Sequence, residues 1–354
     1  MSDRPLPLAG VRVVDLSRLL PGAFCTHMLR ELGAEVTKVE PPGGDPLRRL
    51  PPLAEDGQST FHHLLNAGKE SVVLDARTTE GRAALDTLLV DADVLVDNAR
   101  ASTALKIGVD RDTIRAAHPR LIHCSITGYG QDGTHADRAG HDLNFVAEAG
   151  LLSFDVTGRR EPSLPRMFIA DVGGGAMSGV IGILAALVAR GRAVGRGFSP
   201  GDQGGAFIDI SMHHASLYWL MLPAARLLVR GVADEAPDLP TDGSFACYNV
   251  YECADGTWVA LGALEAKFWA AFCARLDRPE WASSQYDAAA QPGIIRQVRE
   301  ILAGDTRAAW LARFAGDDLC LSAVREPADA LGAAAALLTE TGGTRLVKPP
   351  FLPS

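Results

Sequence analysis

The amino-acid order predicts an α/β protein, with a large domain on a parallel sheet and a smaller α+β domain after it. Three observations carry this. Strand-like and helix-like runs alternate from Gly10 to Thr127, an Asp-, Pro- and Ala-rich stretch interrupts the chain at Val232–Gly243, and a hairpin pattern follows it. In the first alternation, Val11–Leu16 is a short β-rich run, Pro21-Gly22 opens a helix that reaches Leu32 and stops at Gly33, and Ala34–Glu40 is the next strand. The alternation continues through Ser71–Asp75 (strand), Glu80–Leu89 (helix), Ala92–Asn98 (strand), Asp112–His118 (helix) and Leu121–Thr127 (strand). Repeated units of this kind imply parallel strands with helices on both faces. A small-residue helix, Ala176–Arg190, leads through the polar connection Gly191–Gly205 to a further strand and helix in Ala206–Arg230. The hairpin is Tyr248–Cys253, a turn at Ala254-Asp255-Gly256, and Trp258–Gly262, with helices expected over Glu265–Leu276 and Ile294–Leu302. These readings give a large domain over 1–230, a small domain over 231–318 and a tail over 319–354 that packs back on the large domain.

Composition narrows the function classes. The chain has 354 residues, 47% hydrophobic and 22% charged, with a formal net charge of −9. That balance argues against a nucleic-acid surface and requires local cations for any anionic ligand. Cys25, Cys124, Cys247, Cys253, Cys273 and Cys320 show no CxxC pair, so they read as reduced, mostly buried thiols. A metal site is not expected, because His62-His63 and His213-His214 are adjacent pairs that cannot share a helical face. No run of 18 uncharged apolar residues is expected, Val180–Ala189 being short and interrupted by glycine. With no charged leader in view, a cytoplasmic protein without a membrane partner is the expectation.

Two stretches carry candidate chemistry: Ile169-Ala170-Asp171-Val172-Gly173-Gly174-Gly175 and, thirty residues upstream, Ala139-Gly140-His141-Asp142-Leu143-Asn144. A carboxylate at a glycine-rich helix start and a His-Asp pair on another element can face a substrate carbon from two sides, which suits proton transfer. Asp171 alone reads most simply as a helix N-cap, with Gly173–Gly175 as free amide donors or as close-packing residues. A dehydrogenase is disfavoured although Glu40 ends the second strand. The first turn, Ser17-Arg18-Leu19-Leu20-Pro21-Gly22, lacks the glycines that let a backbone approach a pyrophosphate.

Six blocks in order resemble the family III CoA-transferases (CaiB/BaiF type), and within them the α-methylacyl-CoA racemase branch. They are Val13–Leu16 with Pro21-Gly22, Leu32–Glu40, Thr127–Gly133, Ala139–Asn144, Asp171–Gly175 and Gly262-Ala263-Leu264-Glu265. The similarity runs from about Leu8 to about Leu302. The resemblance implies a Rossmann-like large domain, an intertwined homodimer, and an acyl-CoA substrate with coenzyme A as part of the thioester and no prosthetic group. It implies that His141 and Asp171 exchange the α-proton of a 2-methylacyl thioester on opposite faces, supported by Asp142, Tyr248 and Glu265.

For CoA the same positions imply Arg77, Arg100, Lys106 and Lys69 as phosphate cations, Leu74 against the adenine and Asn98 near the pantetheine. Two departures bear on CoA binding: Pro41 stands where relatives often carry a basic residue, and Ala99-Arg100-Ala101-Ser102 replaces the usual Pro-Gly turn. The alternative is a CoA-transferase in which Asp171 attacks the thioester, passes through an anhydride and becomes an aspartyl-CoA thioester. That chemistry needs no histidine, so the His-Asp-Leu-Asn block favours the racemase. A binding-only module is a third reading, which the presence of His141, Asp171 and Glu265 does not favour.

Overall fold

The computed structural model describes residues 5–153, 162–196, 204–231 and 240–352, and the chain divides into two compact units. Among the described residues the first takes those up to Ser153, Ser163–Met221 and those from Leu337 on, and the second takes Pro162 and Leu222–Ala336.

The first unit alternates as the sequence predicts. It runs β1 (Arg12–Asp15), α1 (Leu20–Glu31), β2 (Glu35–Glu40), α2 (Thr60–Asn66), β3 (Glu70–Val73) and α3 (Thr79–Val90). It continues with β4 (Val94–Asp97), α4 (Ala101–Ile107), α5 (Arg111–Ala117), β5 (Ile122–Thr127) and α6 (Asp142–Glu148). A π-helical stretch, Ile169–Ala176, runs into α7 (Met177–Arg196), followed by β6 (Ala206–Ser211) and α8 (Met212–Leu220). The six strands are parallel in the order β3-β2-β1-β4-β5-β6. This is the doubly wound arrangement, whose strand order reverses between β1 and β4 and opens a crevice beyond the carboxyl ends of the strands. Every residue of β4 and β5 is buried, as expected for central strands covered on both faces.

Local signals set the helix ends. The Thr78 hydroxyl accepts from Gly81 N at the start of α3, Asp110 accepts from Thr113 N at α5, and Pro21 sits in the first turn of α1. Helix α7 lies close on the sheet because its inner face is small: a Cβ on Gly179 would stand 3.0 Å from Ile126 Cδ1, and one on Gly182 2.9 Å from Ile208 Cγ2. Ile169–Arg192 is long and apolar enough to cross a membrane by length and composition. Ala176, Val180 and Ile183 pack it into the core of this unit.

The second unit contains α9 (Ala225–Arg230), β7 (Tyr248–Glu252), β8 (Trp258–Gly262), α10 (Ala266–Arg275), α11 (Gln291–Leu302), α12 (Arg307–Arg313), β9 (Leu321–Ala323) and α13 (Pro327–Ala333). β7, β8 and β9 form an antiparallel sheet over a core of Tyr251, Trp269, Phe272, Val298 and Leu302. Trp269 Nε1 donates to Trp281 O at 3.0 Å, which satisfies the one polar atom of the largest core side chain. Residues 319–336, read from the sequence as returning tail, stay with this unit because Leu321–Ala323 is the third strand of its sheet. The final segment joins the first unit as a hairpin, β10 (Leu338–Thr341) and β11 (Thr344–Val347). Of the linker expected at Val232–Gly243, positions 232–239 lie outside the described residues.

Candidate active site

A cavity of about 1200 Å³, lined entirely by the first unit, holds His141, Asp142 and Asp171. His141 is the residue before α6, in extended backbone (φ −126°, ψ 174°). Its N–H donates to Asn144 Oδ1 at 3.0 Å, and its carbonyl accepts from Asn144 N at 2.8 Å. Asn144 thus closes the helix start around the histidine backbone and leaves the ring on the exposed side of the turn. Asp142 opens α6 and accepts from the backbone N of Asp171 at 2.8 Å. Its carboxylate ties the start of α6 to the π-helical stretch, and so fixes one candidate group relative to the other.

Asp171 is 9% exposed. Burial, and then the nearby Asp142 charge, push its carboxyl up to about 7 from an ordinary 3.8. It is not an N-cap. The helix begins at Ile169 with Phe168 before it, so Asp171 sits inside the first turn. Gly174 and Gly175 lie within that helix and are not its free amide end. A Cβ on Gly174 would meet Ala215 Cβ at 3.2 Å, and one on Gly175 would meet Met212 Cγ at 3.0 Å and Ile126 Cγ2 at 3.1 Å. These glycines let the stretch approach α8 and β5, which carries Asp171 down to the cavity. π-helical turns of this kind concentrate at functional sites.

The rest of the wall is mostly apolar, with Leu20, Leu143, Met167 and Phe168, and polar with Asn98, Arg100, Arg138 and Arg166. Arg100 lines the cavity and donates to Asp137 O at 2.9 Å. Asn98 lines it too, but both amide atoms are occupied: Oδ1 accepts from Arg18 N at 2.8 Å and Nδ2 donates to Arg18 O at 2.7 Å. Lys69 is a correction. Its side chain is 1% exposed, pairs with Asp15 Oδ2 at 3.2 Å and donates to Ala23 O and Thr26 Oγ1. Burial draws its pKa down to about 8 in spite of Asp15. A lysine spent on an internal ion pair does not reach a phosphate. Arg77 stays at the surface as a two-pronged pair with Asp75, and Lys106 is exposed in the last turn of α4. Leu74 packs against the cluster that contains Val39, Leu85 and Leu95. Tyr248 and Glu265 belong to the second unit, Tyr248 37% exposed at the start of β7 and Glu265 exposed just before α10.

Sequence reading passed over Asn144, Arg166 and Asp45. Asn144 stands three positions after the cap, where a capping side chain is expected. Arg166 has only proximity to Asp171 to mark it. Asp45 precedes Pro46 in Gly43-Gly44-Asp45-Pro46, a turn-and-cap pattern that signals structure and not its second bond, described below.

A doubly wound sheet with a histidine and a buried carboxyl lining one cavity defines an enzyme-like site. The chain belongs to CoA-transferase family III, whose family model matches residues 8–343. It is 32% identical over 323 residues to α-methylacyl-CoA racemase of Mus musculus, covering 90% of this chain and 77% of the relative. It is 40% identical over 195 residues to succinate–glutarate CoA-transferase of Agrobacterium fabrum, covering 53% and 48%. A solved CAIB/BAIF family protein from Brucella suis superposes with a TM-score of 0.83 at 28% identity, covering 98% of this chain and 93% of that one.

Proposed function

We propose that the protein epimerises the α-carbon of 2-methylacyl-CoA thioesters by proton abstraction and return through an enolate. The supporting observation is a buried carboxyl raised to about 7 in the same cavity as an exposed imidazole, the two elements joined by Asp142. A base near neutrality exchanges protons with a weakly acidic carbon most effectively when its own pKa lies near the working pH. One group removes the α-proton from one face, the electron pair passes to the thioester oxygen, and the other group delivers a proton to the opposite face. The enzyme is left with one proton still shared by the pair. The apolar wall suits a branched acyl chain, and Arg100 and Arg166 offer charge to the phosphates of CoA.

The transferase alternative also has an observation behind it, since succinate–glutarate CoA-transferase is among the relatives. It needs Asp171 as an ionised nucleophile, and a carboxyl raised to about 7 is protonated for part of the time at neutral pH. His141→Ala separates the two. Loss of a positioned proton-transfer group is expected to slow epimerisation by about 10²-fold or more. Undiminished epimerisation in that variant would remove His141 from the mechanism, whereas full CoA transfer to an added acid with hydroxylamine-sensitive attachment at Asp171 would favour the transferase.

A further inference from the structure

Leu19 has φ +62° and ψ −149°, a conformation that is essentially confined to glycine. It stands in the turn between β1 and α1, and Leu19, Leu20 and Pro21 all line the cavity with His141 and Asp171. A non-glycine residue persists in such a state only where its surroundings over-determine it. Here they do. Leu19 N donates to Asp45 Oδ1 at 3.2 Å, Asn98 clasps Arg18 through both its N–H and its carbonyl, and Lys38 Nζ donates to Ser17 O.

Asp45 is fully buried, although a capping carboxylate at a helix start usually faces solvent. The same Oδ1 also accepts from Leu47 N at 2.8 Å, and Oδ2 lies 3.2 Å from Lys38 Nζ. The carboxylate therefore does two jobs, capping the turn that starts at Pro46 and gripping the strained residue in the cavity wall. Lys38 is itself 3.4 Å from Asp15, which also receives the N–H and hydroxyl of Ser17. Burial opposes ionisation of Asp15, yet Lys38, Lys69, Ser17 and Thr26 hold it at about 2. Asp15 thus stays ionised across the neutral range beside the turn.

We propose that Asp45 is a positioning residue for acyl-CoA, holding Leu19 in its strained form so that Leu19, Leu20 and Pro21 present a fixed wall to the thioester. This rests on the reading that the cavity takes an acyl-CoA, but not on which reaction follows. The test measures binding of an unreactive 2-methylacyl-CoA thioether, so it is independent of chemistry. In Asp45→Ala the Leu19 N–H loses its partner, the turn relaxes, and affinity is expected to fall about tenfold, the size of effect such backbone strain represents. Asp45→Asn keeps an acceptor at the same place and is expected to restore binding. If Asp45→Ala lowers thermal stability but leaves affinity within about twofold of the parent, or if Asp45→Asn gives no recovery, the proposal is overturned. If the parent itself fails to bind the thioether, the acyl-CoA reading fails instead.

Discussion

The protonation of Asp171 gives folding stability a pH dependence of its own. Its folded pKa, about 7, stands above the unfolded value of 3.8, so the stability tied to the neutral form is complete below about pH 4 and is lost as pH rises through 7. Asp171→Asn removes the charge and keeps the shape. Its thermal midpoint is expected to exceed the parent's at pH 8 and to converge with it towards pH 4. At about 1.4 kcal/mol per pKa unit the gain at pH 8 is on the order of 2–4 kcal/mol. Thermal unfolding of both proteins at the two pH values checks it, and a variant no more stable at pH 8 would contradict the raised carboxyl. Lys69 shows where residue-level reading stops. Its sequence neighbours suggest a surface cation at a strand start, whereas its side chain reaches Asp15, 54 positions away, a pairing that only the packing of α1 and β1 creates.

At the scale of elements the alternation was legible, because six short β-rich runs separated by helical patterns leave few arrangements other than a doubly wound sheet. Helix α6 was missed. It is seven residues long, and its start is encoded in a histidine cap with Asn144, a weaker signal than the Thr or Asp caps of α3 and α5. The π-helical stretch Ile169–Ala176 that leads into α7 was missed for a related reason. Three successive glycines are poor helix formers, and they become helical here because α8 and β5 sit where any Cβ would have to go. The candidate pair itself was legible as residue types and as a resemblance. The Asp142 bond that orients it was not, since it joins a side chain to a backbone amide 29 positions away.

For the whole molecule, the exposed apolar surface calls for a cover. In the first unit Ile181 is 67% exposed, Tyr218 70% and Trp219 52%, large apolar side chains of the kind that mark a contact surface. We propose that a second copy of the chain covers them, in keeping with the intertwined pairing that the resemblance implies. Light scattering should give the mass of two 37.5 kDa chains, and a stable single-chain mass at micromolar concentration would count against it. The reaction itself is decided more directly. The enzyme is incubated in deuterated water with one epimer of a 2-methylacyl-CoA, and isotope and configuration at the α-carbon are followed together. The account predicts deuterium entering that carbon while configurational purity is lost. An α-carbon that keeps both its hydrogen and its configuration, while CoA moves to an added carboxylic acid, would contradict it.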